Sequence, residues 1–387
     1  MFSQRTNWSL HRNALTQALD EMRASGQRVL DLTISNPTEA GIAPDHEKVL
    51  AALASSKALT YDPQPLGLLA ARQAVLGYYQ KSHNIDLDLD RILLTTSTSE
   101  AYAHVFRLLC NVGDEVLVPK PSYPLFEFLA DLADVKLVPY PLIYDHAWQI
   151  DLESLRLSAT SRTRAVILVH PNNPTGSFVS TTEASTLNDF CSEHEMALIV
   201  DEVFLDYAHD GTPRRSFAGN ADALTFTLSG VSKISAMPQM KFAWVATSGP
   251  RALADDAMAR LEIISDTFLS MNTPVQLAAS ELLDQRMQIQ PVVRDRLRAN
   301  LAELDRQLLK APSCSRLHVE GGWYAVLRVP AIESDEEMAI RLLREARVSV
   351  HPGHFYDFPR EGFLVLSLLT EPSIFLAGVS RLLPLLR

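Results

Sequence analysis

The sequence predicts an α/β fold: a large domain with a mostly parallel central sheet and helical crossovers, plus a smaller α+β domain. Three observations carry this. Short apolar runs recur, each ending in small or polar residues: RILLTT (91–96), DEVLVP (114–119), RAVILVH (164–170), MALIV (196–200) and ADALTFTL (221–228). The stretches between them, such as TTEASTLNDFCSEHE, have a helical pattern. At 387 residues, the chain also exceeds what one small core accommodates.

Each element follows from these patterns. Continuous apolar runs without alternation suit strands buried on both faces, as in a parallel sheet covered by helices. Residues 251–310 read mostly helical, and GGWYAVLRVP follows as a strand. A helix around DEEMAIRLLREA, the segment VSVHPGHFYDF, the strand GFLVLSLL and a last helix complete the chain. The expected division is an N-terminal segment (1–45) contributing to the small domain, a large cofactor-binding domain (46–265) and a small C-terminal domain (266–387).

Composition narrows the function. Hydrophobic residues make up 47% and charged residues 21%, the balance of a soluble globular protein. Lysine and arginine total 35 against 46 acidic residues, giving a net charge of −11 with no basic stripe, which argues against a nucleic-acid partner. Cys110, Cys191 and Cys314 are far apart, so neither a disulfide framework nor a metal cluster is expected. The opening MFSQRTNWSLHRN lacks an apolar core of signal-peptide length. Glu371, Pro372 and Arg381 interrupt the greasy C-terminal run, so no membrane span is expected. A cytoplasmic location follows as an expectation.

In open α/β sheets, ligands sit at the carboxyl ends of strands. Here the polar clusters fall at such ends. STSEA (97–101) opens a helix and reads either as a plain N-cap or as a phosphate seat. PNNPTG (171–176) is an irregular loop, and Asp201 directly follows an apolar strand. Lys233 stands in SGVSK, and no carboxylate occurs from Ala223 to Trp244. A desolvated lysine can do Schiff-base chemistry. A phosphate seat, an asparagine, an acid and a lysine together match the needs of pyridoxal 5'-phosphate.

With NNPTG, DEV and SK in this order and at these intervals, the chain resembles the class I/II aminotransferases of the aspartate aminotransferase superfamily, whose fold is type I of the pyridoxal phosphate enzymes. The resemblance covers nearly the whole chain. It implies that Lys233 forms the internal aldimine, that Asp201 pairs with the pyridine nitrogen and that Asn173 donates to the ring hydroxyl. It likewise implies that Tyr123 stacks on the ring and that Ser97, Thr98, Ser99 and Ser232 belong to the cofactor site. Tyr61, in YDPQPLG, resembles the tyrosine that reaches a neighbouring subunit's phosphate, which implies a homodimer with shared active sites. The implied reaction moves an amino group between an amino acid and a 2-oxo acid by a ping-pong mechanism.

The departures from the family are specific. Lys241 stands where a phosphate-binding arginine is usual, keeping the charge without the bidentate fork. Gly230 replaces a frequent serine, and Phe204 replaces the tyrosine of DEVY, which is expected to raise the pKa of the protonated aldimine. Val365, in FLVLSLL, stands where the substrate-carboxylate arginine is usual. Arg328, Asn36, His351 and His354 are the candidates to compensate. That gap keeps a lyase or decarboxylase open as an alternative. A cofactor-sensing transcriptional regulator would need a DNA-binding domain, and the roughly 30 residues before the first strand are too few for one.

Overall fold

The structure, a computed structural model, describes residues 1–269 and 271–386. All five apolar runs form strands of one eight-stranded sheet. In chain order these strands are β1 (Ile92–Thr95), β2 (Glu115–Lys120), β3 (Lys136–Asp145), β4 (Ala147–Ile150), β5 (Thr163–Val169), β6 (Ala197–Asp201), β7 (Thr225–Gly230) and β8 (Ala243–Ser248). Their spatial order is β1-β8-β7-β6-β5-β2-β3-β4. From β7 to β3 all neighbours are parallel. β8 runs antiparallel to both β1 and β7, so the carboxyl ends of β1, β2, β5, β6 and β7 share one edge.

Burial explains the missing alternation in these runs. Alternate residues of β5 and β6 feed two different cores: Val166, Leu168, Leu198 and Val200 pack on one face, Ala165, Ile167, Ala197 and Ile199 on the other. Each fully buried Val, Leu or Ile contributes about 1.5–3 kcal/mol.

The helices that position the site are α1 (Leu69–His83), α2 (Thr98–Leu109), α3 (Phe126–Leu132), α4 (Thr181–Glu193), α5 (Val231–Ile234), α6 (Arg251–Phe268), α7 (Arg286–Leu308), α8 (Asp335–Ala346) and α9 (Pro372–Leu382). The stretch TTEASTLNDFCSEHE becomes α4, started by a capping box between Ser180 and Glu183.

A second, four-stranded sheet follows. It contains β9 (Ser315–Arg316), β10 (Tyr324–Arg328), β11 (His351–Pro352) and β12 (Phe363–Ser367), antiparallel throughout in the order β9-β10-β12-β11. The N-terminal segment joins this part of the molecule: Leu30–Asp31 pairs with Val348–Ser349, and the Ser367 N–H donates to the Leu32 carbonyl at 2.7 Å.

A short series of backbone bonds joins the segment leading into β10 of the second sheet to the loops of the first. The Gly321 N–H donates to the Gly176 carbonyl at 2.9 Å. Gly176 has φ +71°, and a Cβ there would lie 2.4 Å from the Gly321 carbonyl oxygen, so only glycine fits. Two residues later comes Trp323, carried above the edge of the large sheet. Among the described residues, no helix is long and apolar enough to cross a membrane.

Candidate active site

The shared edge of strand ends gathers the polar clusters. Asp201 ends β6 between β5 and β7, opposite Val169 and Leu228. β7 runs directly into α5, which carries Lys233. The Lys233 amine lies 4.8 Å from the ring of Trp323 and 5.5 Å from that of Phe204. Among the described residues, no side chain or carbonyl accepts a hydrogen bond from it. Burial pushes its pKa from 10.5 down to about 8, while the charge of Asp201 opposes the shift. Both groups keep some exposed surface, yet protein surrounds them closely enough to desolvate them.

Burial raises the Asp201 carboxyl to about 6, against the pull of the Val203 N–H, Tyr102 and Lys233. The Tyr102 hydroxyl sits 3.4 Å from Asp201 Oδ2. Tyr102 escaped the sequence reading, although it lies four residues after Thr98 and so on the same face of α2.

Asn172 and Asn173 divide their roles. Asn172 is spent on the scaffold: its amide donates to the Pro121 carbonyl at 3.1 Å and to Thr175 at 2.9 Å, and its oxygen accepts from Ser122. Asn173 is 8% exposed, and its Oδ1 is buried with no partner. An unsatisfied buried amide beside a cleft calls for a ligand. Tyr123 is 45% exposed; burial of its hydroxyl raises its pKa, and the nearby charge of Asp201 adds to this.

At the end of β1, Ser97 caps α2 by accepting the Glu100 N–H at 3.1 Å. The first N–H groups of α2, at Thr98 and Ser99, have no intrahelical acceptor, and the helix dipole favours an anion there. Ser232 directly precedes Lys233 on α5. Lys241 is exposed, with φ +53°, in the turn between α5 and β8.

None of Asn36, Arg328, His351 and His354 hydrogen-bonds Lys233, and Tyr61 is expected at a neighbouring subunit's site instead. Tyr61 is 78% exposed on the surface of the single chain, beside a cavity shared with Gln64, Ser265 and Gln276. Asn36 spends its side chain on a local turn, accepting from the Thr38 N–H and donating to Glu39. Arg328 is exposed at the far end of β10, 5.9 Å from the Tyr144 ring. His354 is exposed and packs on Phe355, whereas His351 Nδ1 pairs with the Tyr356 hydroxyl at 3.0 Å. Val365 is fully buried, in register with Val326 and His351.

Pyridoxal phosphate fits this set. At or just beyond the strand ends stand a desolvated amine near the rings of Trp323 and Phe204, a carboxylate coupled to it by charge, an Asn173 amide whose oxygen has no protein donor and the open N-terminus of α2. Among the described residues, no group of His, Cys, Asp or Glu is arranged for a metal.

The comparisons agree with this chemistry. A family model described as aminotransferase class I and II matches residues 27–373. An alanine aminotransferase of Mycobacterium tuberculosis is 29% identical over 383 residues, covering 96% of this chain and 88% of that protein. A glutamate-pyruvate aminotransferase of Escherichia coli is 26% identical over 355 residues, covering 90% of this chain and 88% of that protein. The solved structure of an alanine aminotransferase from Pyrococcus furiosus has the same fold, with a TM-score of 0.89 at 23% identity over 100% of this chain and 99% of that one. This chain therefore belongs to the class I and II aminotransferases, transferases of fold type I that use pyridoxal phosphate.

Proposed function

We propose that this aminotransferase works through Lys233, by a ping-pong exchange between an amino acid and a 2-oxo acid. The observation that carries this is the amine of Lys233, desolvated beneath Phe204 and Trp323 and facing Asp201. Pyridoxal phosphate, when bound, supplies an aldehyde for the substrate amine and a ring that takes up the electron pair left at Cα. Lys233 would hold the cofactor through its amine; once the substrate amine displaces it, the freed amine would be the base placed to accept the Cα proton and hand it back. A pKa of about 8 leaves a useful fraction of the amine neutral near physiological pH. Asp201 would hold the proton on the pyridine nitrogen, with the Tyr102 hydroxyl, 3.4 Å away, orienting its carboxylate.

Asn173 would donate to the ring oxygen through its amide nitrogen, and Tyr123 would wall the ring. Ser97, Thr98, Ser99 and Ser232 would hold the phosphate, with Lys241 adding charge. With Val365 buried and uncharged, substrate carboxylate binding falls to neutral donors at the cleft, Asn173 among them. Residues 46–265 form the cofactor-binding domain, and the remainder forms the small domain that closes over it. The exposed Tyr61, flanked by the exposed Leu59 and Leu269, supports a homodimer in which each copy's Tyr61 completes the other's site. Three free thiols support a cytoplasmic location.

The names of the relatives make alanine, glutamate and pyruvate the first substrates to try. The test mixes the holoenzyme with each amino acid, without any oxo acid. One equivalent of 2-oxo acid per site, with a changed cofactor absorbance, is expected, and Lys233→Ala should lose this. Continuous product formation from the amino acid alone would instead indicate a lyase or decarboxylase.

A further inference from the structure

We propose that Gln290, Asp206 and Tyr207 form a positioning clamp for the lysine-bearing turn; this rests on Lys233 being the reactive amine. α5 is only four residues long, and a single turn fixes its own backbone poorly. Carbonyls at a helix end also lack partners further along the helix. Here the Lys233 carbonyl accepts the Ala236 N–H at 3.3 Å, and it and the next carbonyl are also held from outside the turn. The Tyr207 hydroxyl donates to the Lys233 carbonyl at 2.6 Å. Gln290 Nε2 donates to the Ile234 carbonyl at 3.1 Å.

The amide of Gln290 is itself held on each side. Nε2 also donates to Asp206 Oδ2 at 2.6 Å, and Oε1 accepts from Arg294 Nη2 at 3.2 Å. Arg294 further binds the Asp206 main-chain carbonyl through Nε and Nη2. The Asp206 carboxylate lies 3.3 and 3.4 Å from the Tyr78 hydroxyl and 3.2 Å from His83 Nε2. His83 and Asp206 are 5% and 7% exposed in their side chains, so the centre of this network is largely shielded from water.

Stability alone does not require such a device, because apolar packing replaces a satisfied buried polar cluster at little cost. Apolar side chains cannot, however, fix two backbone carbonyls in direction. The clamp also has reach. Gln290 and Arg294 belong to α7, whose Asn300 donates to the Leu368 and Thr370 carbonyls just beyond β12. α7 thus connects the turn under the amine to the second sheet. An error of about 1 Å in placing a reacting group costs on the order of a hundredfold in rate.

In the full-length holoenzyme, Gln290→Met removes both donated bonds at nearly constant volume. The expected result is a kcat lowered roughly tenfold, with KM for the amino donor within about twofold. Cofactor dissociation, followed by absorbance after dilution into a trap, should accelerate about fivefold. Asp206→Asn keeps an acceptor for Gln290 and should stay within about threefold of the parent in both readouts, whereas Asp206→Leu should match Gln290→Met. Parental kcat and cofactor retention in Gln290→Met would overturn the clamp. Equal losses in Asp206→Asn and Asp206→Leu would do the same.

Should Gln290→Met fail to fold, Tyr207→Phe deletes one hydroxyl without leaving a cavity. A selective loss of kcat there supports the clamp, and a parental kcat refutes it. Lys233→Ala separates the two readings. Activity surviving that change removes the role of Lys233 itself, while an inactive Lys233→Ala beside a parental Gln290→Met removes only the clamp.

Discussion

Lys233 shows how a residue's surroundings change its chemistry. An exposed lysine near pH 7 is almost wholly protonated and a poor nucleophile. Here the rings of Trp323 and Phe204 approach the amine, and Asp201 alone offers a compensating charge. Desolvation wins and the pKa falls to about 8. The sign is that of a depressed base: the folded chain releases this proton earlier than the unfolded one. The check is acylation of the cofactor-free protein, with modification at Lys233 mapped by mass spectrometry across pH. Its rate should rise through a midpoint near pH 8. A midpoint near the ordinary lysine value would mean that the ring walls do not desolvate the amine.

At the scale of elements, β7 and β8 set the approach to α5, and they explain Gly230. This residue has φ 176°, ordinary extended backbone, so its conformation does not demand glycine. Space does: a Cβ would lie 2.8 Å from the Phe242 carbonyl oxygen and 2.9 Å from the Ala243 Cβ. The neighbouring strand thus excludes the serine that the family often carries here. Gly230→Ala is expected to destabilise the protein by about 1–3 kcal/mol and to weaken cofactor binding by displacing the turn. An unchanged urea midpoint and cofactor affinity would show that the strand yields freely.

The same elements show what was legible beforehand. Apolar runs without alternation placed the central strands, and the residues closing them, Asp201 and Lys233, came with the pattern. The antiparallel β8 was missed because its run follows the lysine turn directly, without an intervening helix. Asp206 and Gln290 carry no local signature, since their partners lie 84 positions apart. Asn36 and Arg328 were chosen by type and neighbourhood in the chain. A local turn took up the first, and four residues of strand carried the second away from Tyr324.

Across the whole molecule, buried ionisable groups pull stability in opposite directions with pH. Glu202, beside Asp201 in sequence, is 1% exposed and accepts from the Ser216 hydroxyl and the Phe217 N–H, each at 2.6 Å. Burial raises its carboxyl from 4.5 to about 7; its hydrogen bonds and His83 oppose this, and Asp206 adds to it. Between these values, the folded chain keeps a proton that the unfolded chain has lost. Stability therefore declines as pH rises through this window, by on the order of 3 kcal/mol from this group. Asp201 and Asp335, each raised to about 6, act in the same direction. His170 and His209, pushed down to about 4 by burial, act oppositely between pH 4 and 6.5. The net profile is thus a partial cancellation, and only a difference between variants isolates one group. Glu202→Gln can keep the Phe217 bond through its oxygen and donate to Ser216 through its nitrogen. Its urea midpoint relative to the parent should improve steadily from pH 5 to 7.5, measured without cofactor and at one protein concentration. A difference that stays constant with pH would place the Glu202 carboxyl in its ordinary range and leave the decline to Asp201 and Asp335.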